Sequence, residues 1–220
     1  MELLSPVTLA RLPVLPLASS VLFPGTVLPL HVTDPETIAL VEEALAHDKL
    51  VGVIKIDESA GPCGARPAVC AVGCAGRIMH SEKLPSGPYN VLIEGVQRIR
   101  VVEELPATGA CRRFRTELIP RPGDDALAGA WRELGRLESC IMSLRSWLED
   151  RDEQLCEVLR STPDPVQLAD VLGAAVVQET ALQQRLLEAQ DVRQRLTILI
   201  DGLTDVMVRD GEPPRTGQVN

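Results

Sequence analysis

Apolar residues alternate with polar ones at a period near two through most of residues 1–121, then recur at three- and four-residue steps beyond them. The chain therefore divides into a β-rich first part and a helical second part. The stretch Leu12 to Val32, LPVLPLASSVLFPGTVLPLHV, predicts two short extended segments, Val14 to Leu17 and Val27 to Val32. Pro16 and the Phe23-Pro24-Gly25 corner interrupt them. Proline fixes φ and glycine tolerates positive φ, so this tripeptide suits a tight turn. A start this apolar is expected to be pinned inside a sheet.

Asp34-Pro35-Glu36 predicts a helix entry, with Asp34 capping free amides, Pro35 in the first turn and Glu36 at the positive end of the dipole. Ile38, Val41, Ala44 and Leu45 share one face, and Glu36, Thr37, Glu42 and Glu43 the solvated one. Val51 to Ile56 reads as a buried strand, and Ser59 to Pro67 carries a glycine- and proline-rich loop composition. Val69 to Lys83 and Tyr89 to Glu94 form a hairpin about Pro85-Ser86-Gly87-Pro88. Gly95 permits a bulge or bend before Val96 to Glu104, and Cys111 to Ile119 closes the sheet region. Several short strands with one early helix predict a compact, strongly bent sheet.

Pro120-Arg121-Pro122-Gly123 marks the boundary. Leu127, Trp131, Leu134, Leu137, Ile141, Leu144 and Leu148 then predict one long amphipathic helix from about Asp125 to Leu148, with both tryptophans as core anchors. A short helix follows around Glu153 to Arg160. Asp164-Pro165 caps the next, striped by Val166, Leu168, Ala169, Leu172, Ala175 and Val176. Another helix runs from Thr180 through Leu187, and a last one, capped by Asp191, carries Val192, Leu196, Leu199, Leu203 and Val206. The fold class is α+β: a bent-sheet subdomain over 1–121, a helical bundle over 122–209, and a disordered tail over 210–220.

Charge and composition narrow the function. A formal charge of −9 disfavours a phosphate-rich partner, and 2% aromatic residues give few rings for stacking bases. Nucleic acid is thus not an expected partner. The most basic run, Arg112, Arg113, Arg115 and Arg121 with Arg98 and Arg100, alternates with apolar residues and reads as a solvated sheet face. No segment approaches membrane-spanning length and the start lacks the pattern of a signal peptide, so a cytoplasmic, reduced protein away from membranes is expected.

Catalytic and metal chemistry have little support. The six cysteines, Cys63, Cys70, Cys74, Cys111, Cys140 and Cys156, form no C-x-x-C pair and read as small apolar thiols, so neither a metal nor a cofactor is expected. His31, His47 and His80 are far apart and read as structural. The lysines are Lys49, Lys55 and Lys83. A pair such as Ser81 or Ser86 with Lys83 reads as solvated turn residues rather than as a nucleophile and base. Glu103-Glu104 and Asp124-Asp125 fall at element ends.

Three blocks, taken in order, carry a family likeness. The LPVLPL start with VLFPG and LPL, the Gly76 to Val101 segment GRIMHSEKLPSGPYNVLIEGVQRIRV, and the Asp164 to Leu203 ending together resemble the N-terminal domain of the Lon protease. The likeness spans about Leu12 to Leu203. It implies a pseudo-barrel related to PUA-like folds and a substrate-engaging role. Full-length Lon cleaves with a serine-lysine dyad and unfolds substrates with a nucleotide-hydrolysing module. This chain holds no phosphate-cradling G-x-x-x-x-G-K-[ST] and no segment for either module.

The sequence therefore predicts a stand-alone, non-catalytic module that binds unfolded or specific polypeptides, as an adaptor or regulator in protein quality control, with a Lon-type protease as a candidate partner that it either works beside or competes with, or from which it acts separately. Candidate contacts are Phe23, Pro24 and Gly25 at the corner and Glu36, Thr37 and Val41 on the neighbouring helix, which together could form a groove. The alternative is a small-ligand regulator using a cleft between sheet and bundle. The helix entry is directly testable: Asp34→Ala lowers the urea midpoint of unfolding with the slope unchanged.

Overall fold

The computed structural model describes residues 4–60, 62–63, 66–106, 111–148 and 164–211, with the side chains of 62–63, 144–148 and 206–211 excepted. The helix expected around Glu153 to Arg160 and the tail beyond Gly211 lie outside the described residues. Two compact units divide the chain, Met1–Arg121 and Pro122–Asn220.

The first unit is built on a six-stranded mixed sheet. Its elements are α1 (Pro6–Leu9), β1 (Leu12–Leu17), β2 (Val27–Val32), α2 (Pro35–Ala46), β3 (Leu50–Lys55), the two-residue strands β4 (Pro62–Cys63) and β5 (Arg66–Pro67), β6 (Val72–Lys83), β7 (Tyr89–Glu104) and β8 (Arg113–Leu118). The sheet order is β2-β7-β6-β3-β1-β8, with β8 also pairing to β7. The second half of β7, from Ile99, pairs with β8, while its first half, up to Glu94, pairs with β2. Strands β7, β6, β3, β1 and β8 thus form a ring to which β2 is appended. It is not a clean barrel: β1 meets β8 over a short register, Leu12↔Phe114 and Pro13↔Arg113, extended by Val14 N donating to Arg112 O at 2.9 Å.

Two apolar clusters follow from strand alternation. Leu12 and Val14 of β1, Ile54, Ala75, Ile99 and Phe114 come from all the ring strands and pack together on the enclosed side. Leu15, Val53 and Cys74 face the opposite way, where Leu40, Val41 and Ala44 of α2, Val32 of β2, and Val91 and Ile93 of β7 cover them. Helix α2 begins as its sequence dictates, with Thr37 N donating to Asp34 Oδ2 at 2.9 Å.

Glycine sets the position of the opening stretch. Gly76 of β6 lies opposite Gly95 of β7 at a register shift in the ladder. A Cβ on Gly95 would stand 2.0 Å from the Phe23 carbonyl oxygen, and one on Gly76 would stand 2.5 Å from Ile93 Cγ2 and 2.9 Å from Leu22 Cδ2. The backbone of Leu22-Phe23 occupies space that only glycine leaves open. Gly25 N donates to Gly95 O, and Gly95 N donates to Thr26 O, both at 2.8 Å. β7 therefore continues through Gly95 as one strand rather than two, and the bulge expected at Gly95 is present, with Val96 as the extra residue between Gly76↔Gly95 and Ala75↔Gln97.

The basic run is not wholly solvated. Arg98 and Arg112 are 6% and 7% exposed. Arg112 Nε and Nη2 donate to Glu104 Oε1 and Oε2 at 2.9 and 2.8 Å, and its Nη1 donates to Pro67 O at 2.9 Å. A bidentate carboxylate and a carbonyl compensate the guanidinium for lost water, which is what allows its burial. Only part of the alternating pattern faces solvent, as at Arg100 and Arg115.

The second unit is helical: α3 (Asp124–Ala128), α4 (Trp131–Leu148), α5 (Pro165–Ala175), α6 (Thr180–Glu188) and α7 (Val192–Gly211). The single helix expected over Asp125 to Leu148 is broken at Gly129-Ala130. The break takes Trp131 out of the buried stripe, so it is 66% exposed rather than a core anchor, with Arg132 stacked 5.1 Å from its ring centre. Leu137 continues the stripe. Val166 N donates to Asp164 Oδ1 at 3.0 Å, and Gln194 N to Asp191 Oδ1 at 2.9 Å, so both expected caps form. Buried Arg195 closes the end of α6, donating from Nε and Nη2 to Ala189 O at 3.1 and 2.9 Å. Helix α7 includes Asp210 and Gly211, where the sequence suggests its end.

Two measurements check this account. Gly95→Ala destabilises the chain by ~3 kcal/mol in urea unfolding, whereas Gly135→Ala, on exposed helix with nothing within 4 Å of its Cβ, stabilises it by ~0.5 kcal/mol. The hydrogen bonds from Arg112 hold the Glu104 carboxyl below its ordinary value of 4.5. A lowered carboxylate stabilises the fold above the unfolded value and loses that contribution as pH falls through the folded value. The stability deficit of Glu104→Gln is accordingly present at neutral pH and shrinks below pH 4.5.

Candidate polypeptide-binding face

An apolar-rich edge strand cannot bury both of its faces. In β2, VLPLHV, the alternating positions Leu28, Leu30 and Val32 turn inward, which leaves Val27, Pro29 and His31 exposed. The facing half of β7 alternates in step: Tyr89, Val91 and Ile93 are buried, and Leu92 is exposed between them. Residues directly opposite share a face, so the register assembles three cross-strand rows on the outer side. They are Val27–Glu94–Arg77, Pro29–Leu92–His80 and His31–Asn90–Glu82.

A second register shift, between Ile78 and His80, leaves Met79 without a cross-strand partner and turns it outward beside the middle row. Val27, Met79 and Leu92 are 58%, 59% and 38% exposed, and with Pro29 they make an apolar strip across three strands. Polar groups border it. His31 Nδ1 donates to Asn90 Oδ1 at 2.8 Å, and Glu94 and Arg77 flank Val27.

The residues singled out from the sequence fall on both sides of this surface. Phe23 is fully buried and Val41 is 1% exposed, so neither side chain presents contact area; Val41 packs with Leu15, Val53 and Cys74 of the sheet. Pro24 is half-buried and Gly25 exposed, at φ 75°, where the chain turns into β2. Glu36 is exposed, and Thr37 is tied by its N and Oγ1 to Asp34 Oδ2, each at 2.9 Å. The corner is bonded to β7, through Gly25 N to Gly95 O and Gly95 N to Thr26 O. Val27, Pro29 and Leu92 were findable from the alternation of buried and exposed positions along apolar-rich strands. Met79 was not, because a bulge decides its direction.

A separate open groove of about 170 Å³ lies in the first unit among α1, the end of α2, β1 and β8. Arg113 forms an ion pair with Glu43 and donates from Nη1 to Arg11 O at 3.2 Å, and Thr8 Oγ1 donates to Asp48 Oδ2 at 3.1 Å. These pairings neutralise much of its lining. Its volume is below the roughly 300 Å³ at which sites for drug-sized ligands begin.

Lys83 is unsuited to act as a base. Its Nζ lies 2.8 Å from Glu42 Oε1 and 5.2 Å from the Tyr89 ring centre, and the hydrogen bond to Glu42 holds its pKa above the ordinary value. The ammonium is therefore retained at neutral pH. Tyr89 Oη donates to the same carboxylate at 3.0 Å. Burial, then the nearby Glu36 charge, raises the Cys111 thiol, opposite to what an activated thiolate needs. Among the described residues, no group of three or more His, Cys, Asp and Glu is placed to hold a metal ion, and no helix is long and apolar enough to cross a membrane.

Comparison with known proteins adds the following. A family model described as the ATP-dependent protease La (LON) substrate-binding domain matches residues 11–205. The Lon protease of Xanthomonas oryzae pv. oryzae is 31% identical over 201 residues, covering 88% of this chain and 23% of that protein. That of Escherichia coli strain K12 is 31% identical over 194 residues, covering 86% of this chain and 24% of that protein. The chain thus spans about a quarter of the length of these curated relatives. Among solved structures, the N-terminal domain of Mycobacterium avium complex Lon protease shares the fold, with a TM-score of 0.68 at 22% identity over 89% of this chain and 98% of that one. The Lon N-terminal domain protein from Xanthomonas campestris has a TM-score of 0.61 at 20% identity, covering 87% and 97%.

Proposed function

The chain belongs to the family of ATP-dependent protease La (LON) substrate-binding domains, and from that premise we propose that it is a non-catalytic module that captures polypeptides, acting as an adaptor or regulator in cytoplasmic protein quality control. The observation that carries this reading is the apolar strip of Val27, Pro29, Leu92 and Met79 on an open, gently polar-bordered sheet face. Contiguous apolar surface on a sheet gains free energy when a partner removes it from water, at ~25 cal/mol per Å² less the cost of ordering that partner. An unfolded chain exposes the apolar side chains that such a surface accepts. Pro24 and Gly25 at the entry to β2, and Glu36 and Thr37 on α2, supply accessible margins, while Phe23 and Val41 lie buried.

The partners that fit are unfolded or specific polypeptides, with a Lon-type protease as the destination of what is captured. A pulldown with a chemically unfolded model protein tests the proposal. Retention exceeds that by an unrelated acidic protein, and Leu92→Glu or Met79→Glu weakens it by about tenfold, the effect of losing one well-buried side chain. Equal retention by wild type, both variants and the unrelated protein would sink the reading.

A further inference from the structure

We propose that β2 receives its client as an added strand along its outer edge, which rests on the polypeptide-binding reading above and specifies how that binding is made. Among the described residues β2 pairs with β7 alone. The donation from Gly95 N to Thr26 O sets the phase of their ladder. In an antiparallel ladder the hydrogen-bonded pairs alternate, so Leu28, Leu30 and Val32 direct their N–H and C=O groups at β7, and Val27, Pro29 and His31 direct theirs away. Pro29 fits this phase, because a proline facing β7 would leave the Leu92 carbonyl without its donor. Among the described residues nothing bonds to the outward backbone of Val27, Pro29 or His31.

Pro29 also decides which strand fits. A second copy pairing about a two-fold axis at Pro29 sets proline against proline, so both hydrogen bonds of the central pair are missing. Shifting that register by two places Pro29 opposite Val27 or His31 in every pair that remains. A client with another residue at that point donates its own N–H to the Pro29 carbonyl and loses only one bond. The proline therefore penalises self-association more than it penalises a foreign strand, and the usual blunting of an edge becomes a discrimination. Side chains of the added strand on the outer face would extend the row of Val27, Pro29, Leu92 and Met79. The client segment is accordingly apolar at alternate positions, and the chain's net charge of −9 selects against acidic ones.

The test uses the full chain and a short synthetic peptide alternating valine with lysine, together with forms N-methylated at every valine or at every lysine. In an antiparallel added strand the valines lying on the outer face are the residues whose N–H groups point at β2. Methylating the valine amides therefore weakens binding by about tenfold or more, and methylating the lysine amides leaves it nearly unchanged. The reverse selectivity supports a parallel added strand on the same edge. Equal binding by both methylated forms, with unfolded protein still retained, overturns edge addition and spares polypeptide capture; failure of the parent peptide and the unfolded protein alike overturns both. Pro29→Val, shown to be folded by circular dichroism, forms dimers in sedimentation where wild type does not. A wild-type dimer that the peptide cannot dissociate assigns the edge to a second copy and also overturns the proposal.

Discussion

The close approach of the Leu22-Phe23 backbone to Gly95 is the constraint on which the first unit turns. A side chain at Gly95 would collide with the Phe23 carbonyl, and one at Gly76, directly opposite, would collide with Ile93 and Leu22. With both absent, the loop after β1 lies against the β6–β7 hairpin, and two backbone hydrogen bonds between the corner and Gly95 hold it there. That docking delivers Thr26 to β7 in a fixed register, and the register decides which side chains and which backbone groups of β2 face outward. Buried carbonyls packed so tightly against a neighbouring strand leave no room for slippage, and a slip of one residue would turn Val27 and Pro29 into the core.

Much of this was legible in the chain itself. Asp34, Asp164 and Asp191 each announce a helix start, and each accepts a backbone N–H there. The hairpin about Gly87 and the passage from sheet to helices near Arg121 also follow from local chemistry. What could not be read depended on groups distant in sequence. Arg112 looks like a solvated alternation residue until Glu104 and the Pro67 carbonyl are brought to it. Trp131 looks like a core anchor until the break at Gly129 turns it out. Phe23 looks like an exposed apolar corner, yet it is buried because glycines on two other strands make room for its backbone. Apolar character marks residues that gain from leaving water, but whether a neighbour or a partner covers them is a property of the topology.

The same distinction separates groups that hold the fold from groups available for recognition. Glu42 is engaged by Lys83 and Tyr89, Glu43 by Arg113, and Glu104 by Arg112. Such pairings consume hydrogen-bonding capacity that a charged ligand would otherwise use. On the outer side of β2, β7 and β6 the proposed recognition would draw mainly on the apolar strip and the β2 backbone, with Glu94, Arg77 and Glu82 at its margins adding a preference in charge. That is a tolerant form of recognition, suited to partners that share extended, apolar character without sharing a sequence.

Sheet closure explains why this face lies where it does. β6 accompanies β7 along most of its length, but on the other edge β7 changes partner, from β2 before Gly95 to β8 after Arg98. Where β8 pairs, β7 is drawn into the ring and its edge is satisfied within the fold. Where β2 pairs, the sheet ends, and an end necessarily presents unpaired backbone. Along the β6–β7 ladder the two bulges put one extra residue on each strand, Val96 of β7 and Met79 of β6, adding twist and turning one more apolar side chain outward. A fully closed barrel made from the same strands would be sealed against added strands. By leaving β2 outside the ring, the fold keeps one extended edge beside an apolar surface, and Pro29 in the middle of that edge makes pairing with itself the least favourable way to fill it.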